Sequence, residues 1–192
     1  DAILEKRPEI DFLVGVFGRE EITRVADRLV GRLEEQRTVF QPAPIRALSD
    51  RDRLRITPRH FSYLKVSEGC DRLCTFCAIP KMRGKNRSKP IDVLVEETQN
   101  LARAGVQEIV VVAEDSTAYG LDLFRKRKLA ELLEKISAVD GVQWIRLMYA
   151  YPHTVDQELT RVLRENAKLV PYLDIPFQHI SSPMLRAMKR GV

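Results

Sequence analysis

The sequence predicts an α/β fold with parallel strands, and three observations carry that prediction. From residue 58 onward strand and helix patterns alternate in the order β-α-β-α-β-α-β-α. The strands are short and apolar, and β-branched residues dominate the second of them. Between Gln36 and Pro58 the apolar period disappears and Pro42, Pro44 and Pro58 intervene, which separates this alternating stretch from what precedes it. Alternation of this kind makes parallel strands joined by right-handed crossovers. A doubly wound sheet and a (β/α) barrel both satisfy it, and in either the ligand chemistry gathers at the C-terminal strand ends.

Residues 8–17 read as a strand, with Phe12, Val14 and Val16 alternating. Residues 20–35 read as a helix with Ile22, Val25, Ala26, Leu29 and Leu33 on one face. The division is then 1–39 as the tail of a preceding α/β domain, 40–57 as a linker, and 58–192 as the first part of a core domain. Tyr63–Val66 is the first core strand and leads into a cysteine loop. Asp92–Ala104 is a helix, with Pro90 ahead of it, Asp92 as a cap and Gly105 as its stop. Glu108–Ala113 is a buried strand, 128–138 a helix, Gln143–Tyr149 a strand, 155–166 a helix and Tyr172–Ile175 a short strand. Ser182-Pro183 opens a last helix through Met188.

At 192 residues the chain can bury a substantial core. It opens at Asp1 and ends on Lys189-Arg190-Gly191-Val192, and reads as a piece of a longer protein. No apolar run reaches the roughly 18 residues of a membrane span, and no basic-then-apolar leader is present. The net charge of +5 is a mild surplus, compatible with an anionic partner such as RNA or a ribosome. The three cysteines lie within eight residues of one another. An odd, clustered set argues against a disulfide framework and for a metal or redox role in a reducing cytoplasm.

The loop reads Cys70-Asp71-Arg72-Leu73-Cys74-Thr75-Phe76-Cys77, a C-x3-C-x2-C spacing with no fourth Cys in the chain. Three thiolates on one short loop can wrap one face of a [4Fe–4S] cluster, whereas four would complete an electron-transfer cubane. One iron is then left open, as catalytic metals are. An amino-carboxylate such as that of S-adenosylmethionine can chelate there, placing its sulfonium beside the cluster. Structural zinc competes as the basis of a binding module, but it wants four ligands, and His60 and His153 are remote. A redox pair at Cys74 and Cys77 would leave Cys70 unexplained.

Around these cysteines the sequence resembles the radical S-adenosylmethionine superfamily, with Phe76 as the aromatic residue before the last Cys. His60 to Cys70, Cys77-Ala78-Ile79-Pro80 and Arg83 to Pro90 resemble its methylthiotransferases. Ala113 to Leu123 and Tyr172 to His179 resemble the RimO type within them. The resemblance implies a (β/α) barrel with outer helices, of which four strands of an expected six are present. It implies a [4Fe–4S] cluster on Cys70, Cys74 and Cys77, and S-adenosylmethionine as both methyl donor and radical source. The implied reaction inserts sulfur and a methyl group at the β-carbon of an aspartate in small-subunit ribosomal protein S-twelve. The sister group acts on adenosine in tRNA. A second [4Fe–4S] cluster belongs to the family's preceding domain, and its cysteines are absent here. The implied setting is the cytoplasm, with the small ribosomal subunit, a possible RNA contact and an electron donor such as flavodoxin as partners.

Candidate cofactor-binding residues follow. Glu114, Asp115, Ser116 and Thr117 end the second core strand, where a carboxylate could hold the cofactor's ammonium group; equally, Asp115 and Ser116 could cap a turn. The RimO type usually has Gln where this chain has Glu114. Phe76 could lie against the adenine or pack over the cluster, and Ala78 could offer backbone groups to the adenine edge. Gln178 and His179 follow the fourth strand and could reach ribose or substrate. Arg146 and Asp174 are each either inward and functional or paired. Lys81, Arg83, Lys85, Arg87 and Lys89 form either a docking surface or a solvated loop. Arg125 to Lys128 reads as a solvated helix start.

Overall fold

The computed structural model describes residues 2–31, 38–42 and 55–191. They fall into two compact units, Asp1–Pro44 and Ile45–Val192. The connector expected at 40–57 lies largely on residues 43–54, outside the described residues.

In the first unit α1 is Ala2–Lys6 and β1 is Leu13–Val14. The expected strand stops there, because Val16–Glu21 turns into a 3-10 segment that leads into α2, Ile22–Gly31. β2, Thr38–Val39, pairs parallel with β1. Gly18 makes this junction possible: a Cβ on it would meet Val14 Cγ1 at 3.1 Å and Val39 Cγ1 at 3.3 Å. Among the described residues of α2 only Val25 is buried; Ile22, Ala26 and Leu29 of the predicted apolar face are exposed.

The second unit is built on a four-stranded sheet of β3 (Phe61–Lys65), β6 (Glu108–Val112), β7 (Trp144–Leu147) and β8 (Leu169–Leu173). All three pairings are parallel and the spatial order is β3-β6-β7-β8. Sequential order with no reversal decides between the two topologies the sequence leaves open. Doubly wound sheets switch direction within their first four strands, and a singly wound barrel does not. β8 carries Pro171, which cannot donate to a ladder, and its register with β7 slips between Ile145/Leu169 and Leu147/Leu173.

The crossovers supply the outer layer: α4 (Ile91–Arg103), α6 (Leu129–Ser137) and α7 (Gln157–Glu165). Leu94, Leu101, Leu132, Leu133, Ile136 and Val162 pack with Leu64, Ile109, Val111, Ile145 and Leu147 of the strands in one core. Asp92 does not cap α4 as expected; Pro90 holds the N-cap position with no side-chain bond. Asp156 does cap α7, accepting from Leu159 N at 2.9 Å. Four short elements of this unit leave no periodic signal in the sequence because none is long enough for its pattern to repeat. They are β4 (Ser67–Glu68), α3 (Ile79–Arg83), β5 (Arg87–Ser88) and α5 (Leu121–Phe124). The last helix, α8, is Ser182–Ala187.

Candidate functional site

The cysteine loop leaves the C-terminal end of β3 through a closed neck. β4 pairs antiparallel with β5, Ser67 against Ser88 and Glu68 against Arg87. Gly69 follows at φ +78°, where a Cβ would lie 2.3 Å from Lys85 O and 2.6 Å from Gly84 O. Only glycine fits this crossing. Cys70 N donates to Gly84 O at 3.1 Å, and Asn86 N donates to Asp71 Oδ1 at 3.1 Å, so both ends of the loop are tied. All three cysteines are free thiols, with Cys70 and Cys74 buried and Cys77 partly exposed. Cys70 Sγ accepts the Arg72 backbone N–H at 3.4 Å. Burial nevertheless pushes the Cys70 thiol up, so in the absence of a positive centre it stays protonated.

The ends of the next strands close around this loop. Beyond β6, Asp115 is buried and its Oδ2 accepts Arg72 Nε at 2.8 Å, while its Oδ1 accepts Thr117 Oγ1 at 2.6 Å. Its side chain does not cap the following 3-10 turn. Ser116 Oγ donates to Met148 O at 2.6 Å, and Ser116 N to Tyr149 O at 3.1 Å, so Ser116 joins the ends of β6 and β7. Beyond β7, the Tyr151 ring meets two guanidinium groups, Arg72 at 3.9 Å and Arg190 at 4.3 Å from its centre. Arg190, after α8, donates Nη1 to Cys74 Sγ at 3.7 Å and Nη2 to Pro176 O at 2.6 Å. Thr75 N donates to Met188 O at 3.0 Å, so the segment after α8 is strapped to the cysteine loop at two points.

Beside this cluster of contacts a cavity of about 370 Å³ is lined by Lys65, Ile79, Val112, Ala113, Glu114 and Tyr149. Glu114 Oε2 is buried there without a partner among the described residues. The nearby cations are already engaged: Lys65 pairs with Glu68 Oε2, and Arg83 Nη1 reaches Glu68 Oε1 at 2.9 Å. Burial holds the Glu114 carboxyl above the usual carboxylate range. Its own backbone N–H partly opposes that shift, and the Glu68 charge adds to it. The cavity thus contains a carboxyl group lacking a cationic donor.

The other predicted residues lie farther from these contacts. Phe76 is half exposed, and Ala78 is exposed at the start of α3, its carbonyl accepting Lys81 N and Met82 N. Gln178 is exposed in the left-handed region at φ +70°, and His179 Nδ1 accepts Ser181 N at 2.8 Å. Asp174 Oδ2 accepts Tyr149 N at 3.0 Å, and Arg146 Nε donates to Glu108 Oε1 at 2.7 Å. The basic run is not one surface. Arg83 is paired with Glu68, and Lys89 is buried with Nζ 3.1 Å from Glu97 Oε2. Arg72, Tyr151 and Arg190 are the site residues that sequence reasoning misses. Arg72 lies inside the motif but has no spacing signature, and the other two are brought in only by the fold.

The family model for the radical SAM superfamily matches residues 64–192. The chain belongs to the radical SAM superfamily. Its curated relatives include the ribosomal protein uS12 methylthiotransferase RimO of Acetivibrio thermocellus, 40% identical over 99% of this chain and 43% of that protein. The protein of the same name from Lachnoclostridium phytofermentans is 42% identical over 98% of this chain and 42% of its own length. That from Flavobacterium johnsoniae is 52% identical over 73% of this chain and 32% of its own. The chain therefore spans less than half the length of these relatives. Among solved structures, the radical SAM methyltransferase TsrM from Kitasatospora setae aligns with a TM-score of 0.55 at 18% identity, over 67% of this chain and 24% of that one. That likeness extends to the fold.

Membership in the radical SAM superfamily implies a [4Fe–4S] cluster and S-adenosylmethionine, and the residues present fit both. Three free thiols share one tied loop at the C-terminal strand ends, with a guanidinium and a backbone N–H already directed at two of the sulfurs. Among the described residues no three His, Cys, Asp or Glu side chains gather as they would round one metal ion. A cubane distributes its ligands over several irons and does not require that convergence. The unpartnered Glu114 oxygen in its cavity fits an ammonium group. Among the described residues no helix is long and apolar enough to cross a membrane.

Proposed function

We propose that the protein is a radical S-adenosylmethionine methylthiotransferase that modifies the β-carbon of an aspartate in ribosomal protein uS12. The observation that carries the radical chemistry is the placement of Cys70, Cys74 and Cys77 on one tied loop at the mouth of the parallel sheet, beside the Glu114 cavity. The likeness to RimO proteins over nearly the whole chain supports the substrate. When bound, the cluster supplies the electron that cleaves S-adenosylmethionine and so provides hydrogen-abstracting power.

The protein's own residues bind and orient. Cys70, Cys74 and Cys77 would hold the cluster through their thiolates, three ligands for four irons. Glu114, with its unpartnered oxygen in the cavity, would accept hydrogen bonds from the cofactor's ammonium group. Asp115 fixes Arg72 across the loop, and Ser116 fixes the strand ends that floor the site. Phe76, Ala78 and Gln178 lie on loops at the same end of the sheet, where they would meet the adenosine portion.

Residues 1–39 are then the tail of a preceding domain, 40–57 a linker, and 58–192 the first part of the radical core. The second [4Fe–4S] cluster would sit on residues of the longer protein. Its place is the cytoplasm, with the small ribosomal subunit as partner, a flavodoxin-like electron donor and an RNA contact through the exposed Lys81 and Lys85.

The test is to incubate the full-length, anaerobically reconstituted enzyme with S-adenosylmethionine, a reductant and either uS12 or tRNA. Mass spectrometry should find a methylthio group on an aspartate of uS12. Modification of tRNA adenosine instead would overturn the substrate assignment. The 192-residue chain alone should not complete methylthiolation.

A further inference from the structure

Among the described residues Arg190 is a buried cation without an acid. It is nine-tenths buried, and among the described residues no carboxylate pairs with it. Its partners are the Cys74 sulfur at 3.7 Å, the Pro176 carbonyl at 2.6 Å and the face of Tyr151 at 4.3 Å, while its Nε is buried with no partner. Arg72, also over the Tyr151 ring, is neutralised by Asp115 at 2.8 Å. The set Arg72, Asp115 and Arg190 therefore carries one net positive charge, held against a cysteine sulfur. A buried unpaired charge is costly, and the structure holds it in place from three sides. The Tyr151 ring stacks on it, the Tyr151 hydroxyl donates to the Arg190 carbonyl, and Met188 O accepts Thr75 N of the cysteine loop.

We propose that Arg190 is a positioning residue that raises the reduction potential of the cluster by donating a charge-assisted hydrogen bond to the Cys74 thiolate. This rests on the assignment of the cluster to the three cysteines. One-electron reduction by an external donor adds one negative charge to the cluster. A fixed cation and an N–H donor at a ligand sulfur favour that more negative state. Stacking on the Tyr151 ring keeps the guanidinium from swinging away to solvent. Because Arg190 lies beyond the fourth strand, the cluster would reach its working potential only once that part of the fold has closed on the loop.

The test is a mediated redox titration of the reconstituted protein, followed by EPR, comparing wild type with Arg190→Gln and Arg190→Lys. Gln removes the charge, and Lys keeps it on a side chain without the planar fork. Iron and sulfide content are measured in parallel. The potential should fall in the order wild type, Lys, Gln. In the Gln variant the ratio of reduced to oxidised cluster at a fixed potential should drop by about tenfold, equivalent to about 59 mV for one electron. If the Gln variant loses its cluster, the Lys variant decides, and a lowered potential there supports the proposal. An unchanged potential in the variants that retain cluster overturns it and leaves Arg190 a strap for the loop. A wild-type protein that takes up no cluster overturns the cluster assignment itself, and this proposal with it.

Discussion

Glu114 and Gly69 define the site at the scale of single residues. In Glu114 the proton is held more tightly in the folded protein than in the unfolded chain, because burial outweighs its own backbone hydrogen bond. Above the ordinary carboxylate range the unfolded state releases its proton first. Stability therefore falls as pH rises from that range through the raised native value. Glu114→Gln should abolish this loss: its urea midpoint should match wild type near about pH 4 and exceed it near about pH 7 in the absence of cofactor. The same substitution should weaken S-adenosylmethionine binding, so that the cofactor stabilises wild type more than the variant. Gly69→Ala places a methyl group against two backbone carbonyls that cannot yield, at a positive φ. It should cost at least about 1–3 kcal/mol in chemical denaturation and lower iron uptake. At this scale the sequence shows the proposed metal ligands plainly, because the three cysteines fall within eight residues. It does not show Arg190, whose contact with Cys74 spans 116 residues, or Tyr151, which has no local signature.

The elements follow the same division. The helices α4, α6 and α7 and the strands β3, β6 and β7 are legible because each presents at least one full period of apolar residues to the core. The β4–β5 ribbon is two residues wide and is defined by its partner rather than by its own pattern. Behind it, Lys89 and Glu97 form a buried pair that fastens the returning loop to α4, and the Tyr119 hydroxyl donates to Lys89 O at 2.7 Å. Part of the expected basic surface is therefore interior. Lys89→Met alone leaves the Glu97 carboxylate buried and should destabilise by about 3–5 kcal/mol. Adding Glu97→Leu to that variant should restore much of the loss, and a thermodynamic cycle by urea denaturation checks both. A single variant as stable as the double one would show that Glu97 finds water or another partner.

For the whole molecule, the decisive feature is the unreversed strand order β3-β6-β7-β8, which brings the cysteine loop, Glu114, Tyr151 and the Arg190 segment to one end of one sheet. The alternation of strands and helices foretells parallel pairing. Strand order is not encoded in it, because both singly and doubly wound sheets bury the same apolar faces. At the end of the sheet β8 pairs only with β7 among the described residues, and Phe177 and Ile180 beyond it are strongly exposed. The proposed function requires that this end of the sheet hold a cluster with one iron open to S-adenosylmethionine. The most direct measurement is anaerobic reconstitution with iron and sulfide, followed by EPR of the reduced protein with and without S-adenosylmethionine. The protein should take up about four irons per chain and give a signal that changes when S-adenosylmethionine is added, and a Cys74→Ala variant should lose both. A protein that takes up no cluster, or a signal indifferent to S-adenosylmethionine, would contradict it.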